Sequence, residues 1–344
     1  MSRDVSVVIP CRDEVEHIGA LLDAVLAQHA QPVEIIIVDG GSTDGTLEVV
    51  DQFRAEHPEL SIALLTRPGV SIPSAINQAV LMARGDVIVR LDAHSTPNPE
   101  YIATMLRTAD IDRGLVGGAW DVVPGAQTAT ARAIARAVSH RVGAGDAAYR
   151  LVRTGAEPLA VDTVPFGCFS KALWRELGGF DGRLLANEDY EFNYRVRKSG
   201  RPVVLHPGMR CTYVARATLG ALARQYFRYG WWKVRMLELH PASLRWRQAF
   251  PVLFVSSLLG LSAASLIAPR FRAMLAVVAA VYALVLSVVS IADARSSAWR
   301  VVAILPLAFA TIHVAWGGGA LINLLTFGRW PRWSPPAHPA TKPC

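Results

Sequence analysis

Over residues 1–125 the chain alternates two hydrophobic patterns. Val5–Ile9, Glu34–Val38, Ile62–Leu65 and Val87–Leu91 are short runs rich in β-branched residues, as strands buried on both faces require. Between them, His17–Gln28, Thr46–His57 and Ile72–Arg84 space their apolar residues as helices do. The alternation predicts an α/β domain of βαβ units on a mostly parallel, Rossmann-like sheet, with ligands beyond the carboxyl ends of its strands. After residue 248 the pattern changes. Phe250–Ala268, Ala273–Ala292 and Val301–Phe327 are uncharged runs of 19, 20 and 27 residues, and about 20 apolar residues suffice for a helix to span a bilayer. Three transmembrane helices are therefore predicted. Pro306 is placed to kink the third, and Gly317-Gly318-Gly319 lowers its helix propensity while admitting a close neighbour. Trp330 and Trp333, with Arg329 and Arg332, read as an interfacial belt, and the tail from Pro331 as disordered. The chain thus divides into an α/β domain at 1–215, amphipathic interface helices at 216–247, three spans at 248–328 and a proline-rich tail at 329–344.

Composition agrees with a membrane-resting protein. Of 344 residues, 52% are apolar and 18% charged, against about 25% charged in soluble chains. Disorder, collagen-like repeats and a small disulfide scaffold are excluded. The net charge of +7 hides a polarity. Residues 1–194 hold 16 basic and 26 acidic side chains, residues 195–247 hold 12 and one, and residues 248–344 hold 7 and one. An acidic body with a basic collar before the spans fits an anionic membrane surface, where each basic residue contributes about 1 kcal/mol, and not a nucleic-acid binder. Cys11, Cys168, Cys211 and Cys344 form no CxxC pair, which argues against a zinc site and for a reducing compartment. The N-terminus meets charge too early for a signal peptide, which puts the N-terminal domain in the cytoplasm; an odd number of spans puts the C-terminus on the other side.

The polar residues that carry chemistry follow the predicted strands. Strand one runs into Pro10-Cys11-Arg12-Asp13-Glu14, and strand two into Asp39-Gly40-Gly41-Ser42-Thr43-Asp44-Gly45-Thr46. Helix capping explains one of Ser42, Thr43 or Asp44, and the whole run makes a tight loop around a polar ligand. Neither a GxGxxG nor a GxxxxGK[ST] cradle is present. The fourth strand ends in Leu91-Asp92-Ala93-His94, a carboxylate and an imidazole suited to a divalent cation that bridges a diphosphate. Glu188 and Asp189 open a predicted helix over 188–198, as a helix dipole favours, and Asp189 is the candidate general base. Gln225 and Arg228 lie three apart, on one helix face, in Gln225-Tyr226-Phe227-Arg228-Tyr229-Gly230.

Together VVIPCRDE, VDGGSTDGT, ARGDVIVRLDAH, GCFSKALWRELGGFD, NEDYEF and QYFRYG resemble the family 2 glycosyltransferases of GT-A fold over roughly residues 5–235. With its spans, the chain is similar to membrane-bound bacterial exopolysaccharide transferases of the succinoglycan-pathway glucosyltransferase type. The resemblance implies that Pro10, Glu14, Asp39 and Asp44 line a nucleotide-sugar pocket with Asp92 and Arg228. It implies that Asp92 and His94 hold Mg2+ or Mn2+, that Asp189 and Glu188 form the catalytic acidic pair, and that Gln225 and Tyr229 meet the acceptor. The chain departs from the pattern in His94, where a second Asp is usual, in Tyr229, where Trp is, and in Ile76, where many relatives carry an Arg before Asn77. Arg67 and Arg90 are the alternative sources of that charge. The expected function is inverting transfer of a sugar, glucose as first choice, from a UDP-sugar to a lipid-linked polyprenyl acceptor, beside membrane lipids, at the cytoplasmic face of the inner membrane. A polyprenyl-phosphate sugar synthase and a catalytically silent nucleotide-sugar-binding scaffold are the alternatives.

Overall fold

The computed structural model describes residues 3–108, 111–293 and 298–326. Its opening segment forms β1 (Val5–Cys11), α1 (Ile18–Leu26), β2 (Glu34–Asp39), α2 (Thr46–Glu56), β3 (Ile62–Thr66), α3 (Ile72–Met82) and β4 (Val87–Arg90), all within a few residues of the ranges the hydrophobic pattern predicts. These strands pair in parallel in the order β3-β2-β1-β4. All seven residues of β1 are buried, because helices cover both faces of the sheet. Ile18, Leu21 and Leu22 of α1, with Val50 and Phe53 of α2, pack on the side of Val5, Val7 and Ile9. Ala75, Ile76, Ala79 and Val80 of α3 pack on the side of Val8.

The chain continues through β5 (Ser95–Pro97), α4 (Tyr101–Thr108), β6 (Leu115–Pro124), α5 (Ala129–Val138), α6 (Arg141–Ala144), α7 (Ala148–Leu151), β7 (Leu159–Ala160), β8 (Cys168–Ser170), α8 (Lys171–Glu176), α9 (Glu188–Lys198) and β9 (Val203–Ala215). One sheet runs β3-β2-β1-β4-β8-β6-β9-β5, with β7 on β9. β8 joins antiparallel to β4 and β6, and the long β6–β9 pair is parallel, so most paired residues of the sheet are parallel. Burial of the thiols pushes Cys11, Cys168 and Cys211 up to about 12, and all three are free.

Next come α10 (Leu219–Leu239), α11 (Trp246–Ser265), α12 (Pro269–Asp293) and α13 (Trp299–Leu325). Gln248–Ser265, Pro269–Asp293 and Trp299–Leu325 are long and apolar enough to cross a membrane. The α13 helix runs on through Pro306. The expected belt at Trp330 and Trp333 and the proline-rich tail lie outside the described residues. A third of α13's apolar window is buried in the protein, against 6% for α11 and 11% for α12, because α13 packs on α10 and α11 as well as on α5 of the α/β body. Glycines set that contact. A Cβ on Gly230 would collide with the Trp316 carbonyl, one on Gly319 with the Phe227 carbonyl, and one on Gly317 with the Pro251 carbonyl. Polar ties hold the same seam. Asn323 Nδ2 donates to the Trp231 carbonyl at 3.2 Å, and His313 bridges the Val142 carbonyl (2.7 Å) and the Tyr282 hydroxyl (2.8 Å); α12 has its own tie to the body, where Asp293 pairs with Arg136 of α5 at 2.5 Å.

Gly230→Ala should therefore destabilise the detergent-solubilised protein by about 1–3 kcal/mol, the usual cost of overpacking, seen as a lower midpoint in thermal unfolding. Gly318→Ala, whose Cβ meets nothing within 4 Å, should leave the midpoint unchanged or raise it slightly.

Candidate active site

The parallel register brings the ends of β1, β2 and β4 to one edge: Cys11 lies opposite Asp39 and Val8 opposite Arg90. Asp39 is buried, and its carboxylate accepts from the Gly41 amide (2.8 Å), the Ser42 amide (3.1 Å) and the Ser42 hydroxyl. Asp44 accepts from the Val15 amide (3.1 Å) and from the Thr46 amide (3.1 Å) and hydroxyl (2.5 Å). That hydroxyl leads in holding its carboxyl below the ordinary range. Pro10 is a buried β1 residue opposite Val38. Pro10, Asp39 and Asp44 thus shape the loop at the sheet edge, and none of the three lines the main cavity. The capping expectation for the 42–44 run is not met: Gly45, with a left-handed φ of 100°, precedes α2 and no side chain caps the helix, while Asp44 Oδ1 accepts locally from the Thr46 amide.

The main cavity measures about 740 Å³. At one end stand Glu14, Arg90, Asp92, His94, Glu188 and Asp189. Arg90 is 3% exposed and donates to Asp92 Oδ1 (3.0 Å) and to Glu188 Oε1 (2.7 Å). It is the cationic centre of this end; Arg67 lies outside the lining, and Ile76 is buried in the core. Asn77 braces Phe180 and Trp174 by hydrogen bonds. The chain enters α9 through Asn187, whose left-handed φ of 65° swings Glu188 and Asp189 into the cavity. Such strain at a non-glycine residue is characteristic of functional sites. Desolvation, then the neighbouring Glu188 charge, pushes the Asp189 carboxyl up to about 7, with Arg90 opposing.

His94 Nδ1 lies 3.0 Å from Glu14 Oε1. Burial alone pulls the His94 pKa down, but the Glu14 hydrogen bond and the Asp92 charge outweigh it and raise it. Among the described residues no group of three or more metal-ligating side chains forms by itself. Asp92 and His94 nevertheless fit a divalent cation whose remaining ligands are diphosphate oxygens and water, the usual Mg2+ arrangement. A ligating histidine typically gives its second ring N–H to a carboxylate, and Glu14 is placed to receive it.

The same cavity is also lined by Gln225, Arg228 and Tyr229 of α10, and by Phe250, Ile312 and Trp316 of the apolar helices. Gln225 Nε2 donates to the hydroxyls of Tyr213 (2.8 Å) and Tyr229 (3.0 Å), and Arg228 to the Leu185 carbonyl (2.5 Å). Trp120 stacks on Tyr213 with centroids 4.0 Å apart. Trp120, Tyr149, Arg150, Tyr213 and the span residues belong to this site and were not among the expected ones. The apolar–polar alternation of Met209-Arg210-Cys211-Thr212-Tyr213 is a sequence signal that reaches Tyr213, and β9 buries those odd positions; none in the local sequence singles out Arg150.

A sheet with a parallel half and acidic residues at its carboxyl edge is the architecture of a GT-A glycosyltransferase, to which this chain adds apolar helices that line the same cavity. The description "Glycosyl transferase family 2" matches residues 6–175, and the chain belongs to that family. The Succinoglycan biosynthesis protein ExoA of Rhizobium meliloti (strain 1021) is 30% identical over 339 residues, covering 94% of this chain and 96% of that protein. A Methanococcus voltae protein, "Dolichyl N-acetyl-alpha-D-glucosaminyl phosphate 3-beta-D-2,3-diacetamido-2,3-dideoxy-beta-D-glucuronosyltransferase", is 23% identical and covers 73% of this chain and 79% of its own length. Among solved structures, the mannosyltransferase PcManGT from Pyrobaculum calidifontis, in complex with GDP-Man and Mn2+, shares the fold at TM-score 0.63 and 18% identity, over 94% of this chain and 89% of that one.

The raised Asp189 pKa has a measurable sign. The unfolded chain ionises this carboxyl in the ordinary range while the folded chain keeps it protonated up to about 7, so folding stability falls as pH rises across that window and is level above it. Asp189→Asn should be more thermostable than the parent at pH 8, with the gap closing towards pH 4 in thermal melts.

Proposed function

We propose that this glycosyltransferase transfers a sugar, glucose as the first candidate, from a UDP-sugar to a polyprenyl-linked acceptor. The transfer takes place with inversion, at the cytoplasmic face of the inner membrane, in exopolysaccharide or cell-envelope glycan synthesis. The observation that carries this reading is one cavity lined both by Asp92 and Asp189 and by Phe250 and Trp316, which offers polar groups for a donor and apolar side chains for a lipid-linked acceptor. The succinoglycan-biosynthesis relative and the dolichyl-linked substrate named for the archaeal relative support the pathway and the acceptor class.

In this mechanism the Asp189 carboxylate takes the proton of an acceptor hydroxyl. The freed oxygen attacks the anomeric carbon from the face opposite the diphosphate; the new carbon–oxygen bond forms as the bond to the diphosphate oxygen breaks, and the electron pair leaves with UDP. Arg90 fixes Asp92 and Glu188 around that base. Asp92 and His94 would hold the cation, with Glu14 orienting the imidazole. When bound, Mg2+ or Mn2+ supplies neutralisation of the departing diphosphate. Arg228 adds positive charge from α10, while Gln225 and Tyr229 face the acceptor.

The test is nucleotide release by the full chain in detergent, across UDP- and GDP-sugars and polyprenyl-linked acceptors. Release should need Mg2+ or Mn2+, stop with EDTA, and prefer one UDP-sugar. Asp189→Asn should lower kcat by about 10²- to 10⁴-fold, and kcat/KM of the parent should fall as pH drops through about 7. Glu14→Gln should weaken apparent metal affinity about 10- to 100-fold. Full activity in Asp189→Asn would point to a lipid phosphate as nucleophile and a polyprenyl-phosphate synthase. Tight nucleotide binding without turnover on any acceptor would point to a silent scaffold.

A further inference from the structure

Arg150, on the short helix α7, has no task in the transfer chemistry. Its guanidinium lies 4.9 Å from the Trp120 ring centroid and 5.4 Å from that of Tyr149. Nη1 donates to the Tyr226 hydroxyl at 2.9 Å, and Nε is buried with no hydrogen-bond partner. Among the described residues, no carboxylate stands within ion-pair distance of it. Arg90, which lines the same cavity, shows the contrast: it is held by both Asp92 and Glu188. A half-buried cation without a counter-charge is costly to keep, and aromatic faces offset only part of that cost. At the wall of a cavity, the missing charge is one that a ligand can bring.

The surroundings state which charge. Gln225 draws the hydroxyls of Tyr213 and Tyr229 into one cluster, and the Tyr226 and Tyr229 rings meet edge to face at 5.6 Å. A guanidinium fork with several hydroxyl donors around it matches a tetrahedral oxyanion. Tyr226 lies one helical turn before Gly230, the residue against which the Trp316 backbone rests. Phe250, Ile312 and Trp316 of the apolar helices line the same space. The Val142 carbonyl, eight residues before Arg150, is held by His313 of α13.

We propose that Arg150, with the hydroxyls of Tyr226 and Tyr229, forms an anion seat for the phosphate or diphosphate of a polyprenyl-type lipid whose chain lies against α11 and α13. This assignment rests on the lipid-linked acceptor reading and adds where that acceptor's charge is held. Donor diphosphate is the other source of the same chemistry, and the test separates the two.

Binding of farnesyl diphosphate, farnesol and UDP to the full chain in detergent would be measured by calorimetry. The parent should bind farnesyl diphosphate at least about tenfold more tightly than farnesol, the scale of a charge-assisted contact. Arg150→Met should abolish that preference and leave UDP affinity within about twofold, while Arg150→Lys retains part of it. In turnover, Arg150→Met should raise acceptor KM far more than donor KM. Equal binding of farnesol and farnesyl diphosphate by the parent would overturn the seat, as would a preference that survives in a folded Arg150→Met. Loss of UDP binding with farnesyl diphosphate unaffected would overturn the lipid assignment. Should Arg150→Met fail to fold, Tyr226→Phe keeps the ring and removes one donor. It should weaken farnesyl diphosphate about two- to tenfold and spare farnesol; unchanged diphosphate affinity would count against the seat. A lost diphosphate preference in a protein that never glycosylates a lipid-linked acceptor would uphold the seat while sinking the transfer reading. Transfer that is unimpaired in Arg150→Met at subsaturating acceptor would do the reverse.

Discussion

The backbone of α13 comes to rest directly on α10 because Gly230 and Gly319 carry no side chain where the two helices meet. Everything that distinguishes this molecule from an α/β domain tied to an anchor depends on that approach. With ordinary side chains there, α13 would stand off and the cavity floor formed by Ile312 and Trp316 would open. With glycines, one wall of the site is made of span residues and the other of strand ends. The polar ties at Asn323 and His313 fix the register of a contact that small residues alone would leave free to slide.

Charge is distributed along the resulting cavity in two unequal ways. At the sheet edge, three carboxylates surround Arg90, and burial, with the Glu188 charge beside it, keeps Asp189 protonated to an unusual height. At the α10 end, Arg150 is flanked by aromatic rings. A ligand that is itself polar at one end and anionic near an apolar tail would complete both. The left-handed turn at Asn187 and that at Phe166 both border this space, so the backbone is strained where the charges are brought together.

Much of the first half was legible in the sequence because its signals are local. β1 to β4 are continuous apolar runs and their helices repeat at 3.6 residues, so the pattern reaches their ends to within a few positions. The helix opened by Glu188 and Asp189 spans Glu188–Lys198, the expected range, since its acidic start and basic end are written in consecutive residues. The second half of the sheet was harder. β7 and β8 have two and three residues, too short for any periodicity, and β9 alternates plainly but sits among loop-like prolines. Of the expected site, Glu14, Asp92, His94, Glu188, Asp189, Gln225, Arg228 and Tyr229 gather around one cavity, whereas Pro10, Asp39 and Asp44 build the neighbouring loop. Asp39 shows why: a carboxylate followed by glycine and serine reads as a ligand, while the hydrogen bonds it makes here brace its own loop. Arg150 was invisible for the opposite reason, since what marks it is the lack, among the described residues, of a carboxylate beside it, which no sequence spells out.

The length of α13 has a mechanical consequence. Its 27 residues extend about 40 Å, beyond the roughly 30 Å of hydrocarbon in a typical bilayer. A free helix would relieve such hydrophobic mismatch by choosing its own tilt. This one is clamped to α10 by glycines and to the α6 segment through His313, so in a bilayer its tilt and the posture of the whole α/β body are a single variable. Membrane thickness then becomes a lever on the height at which the sheet edge meets the lipid headgroups.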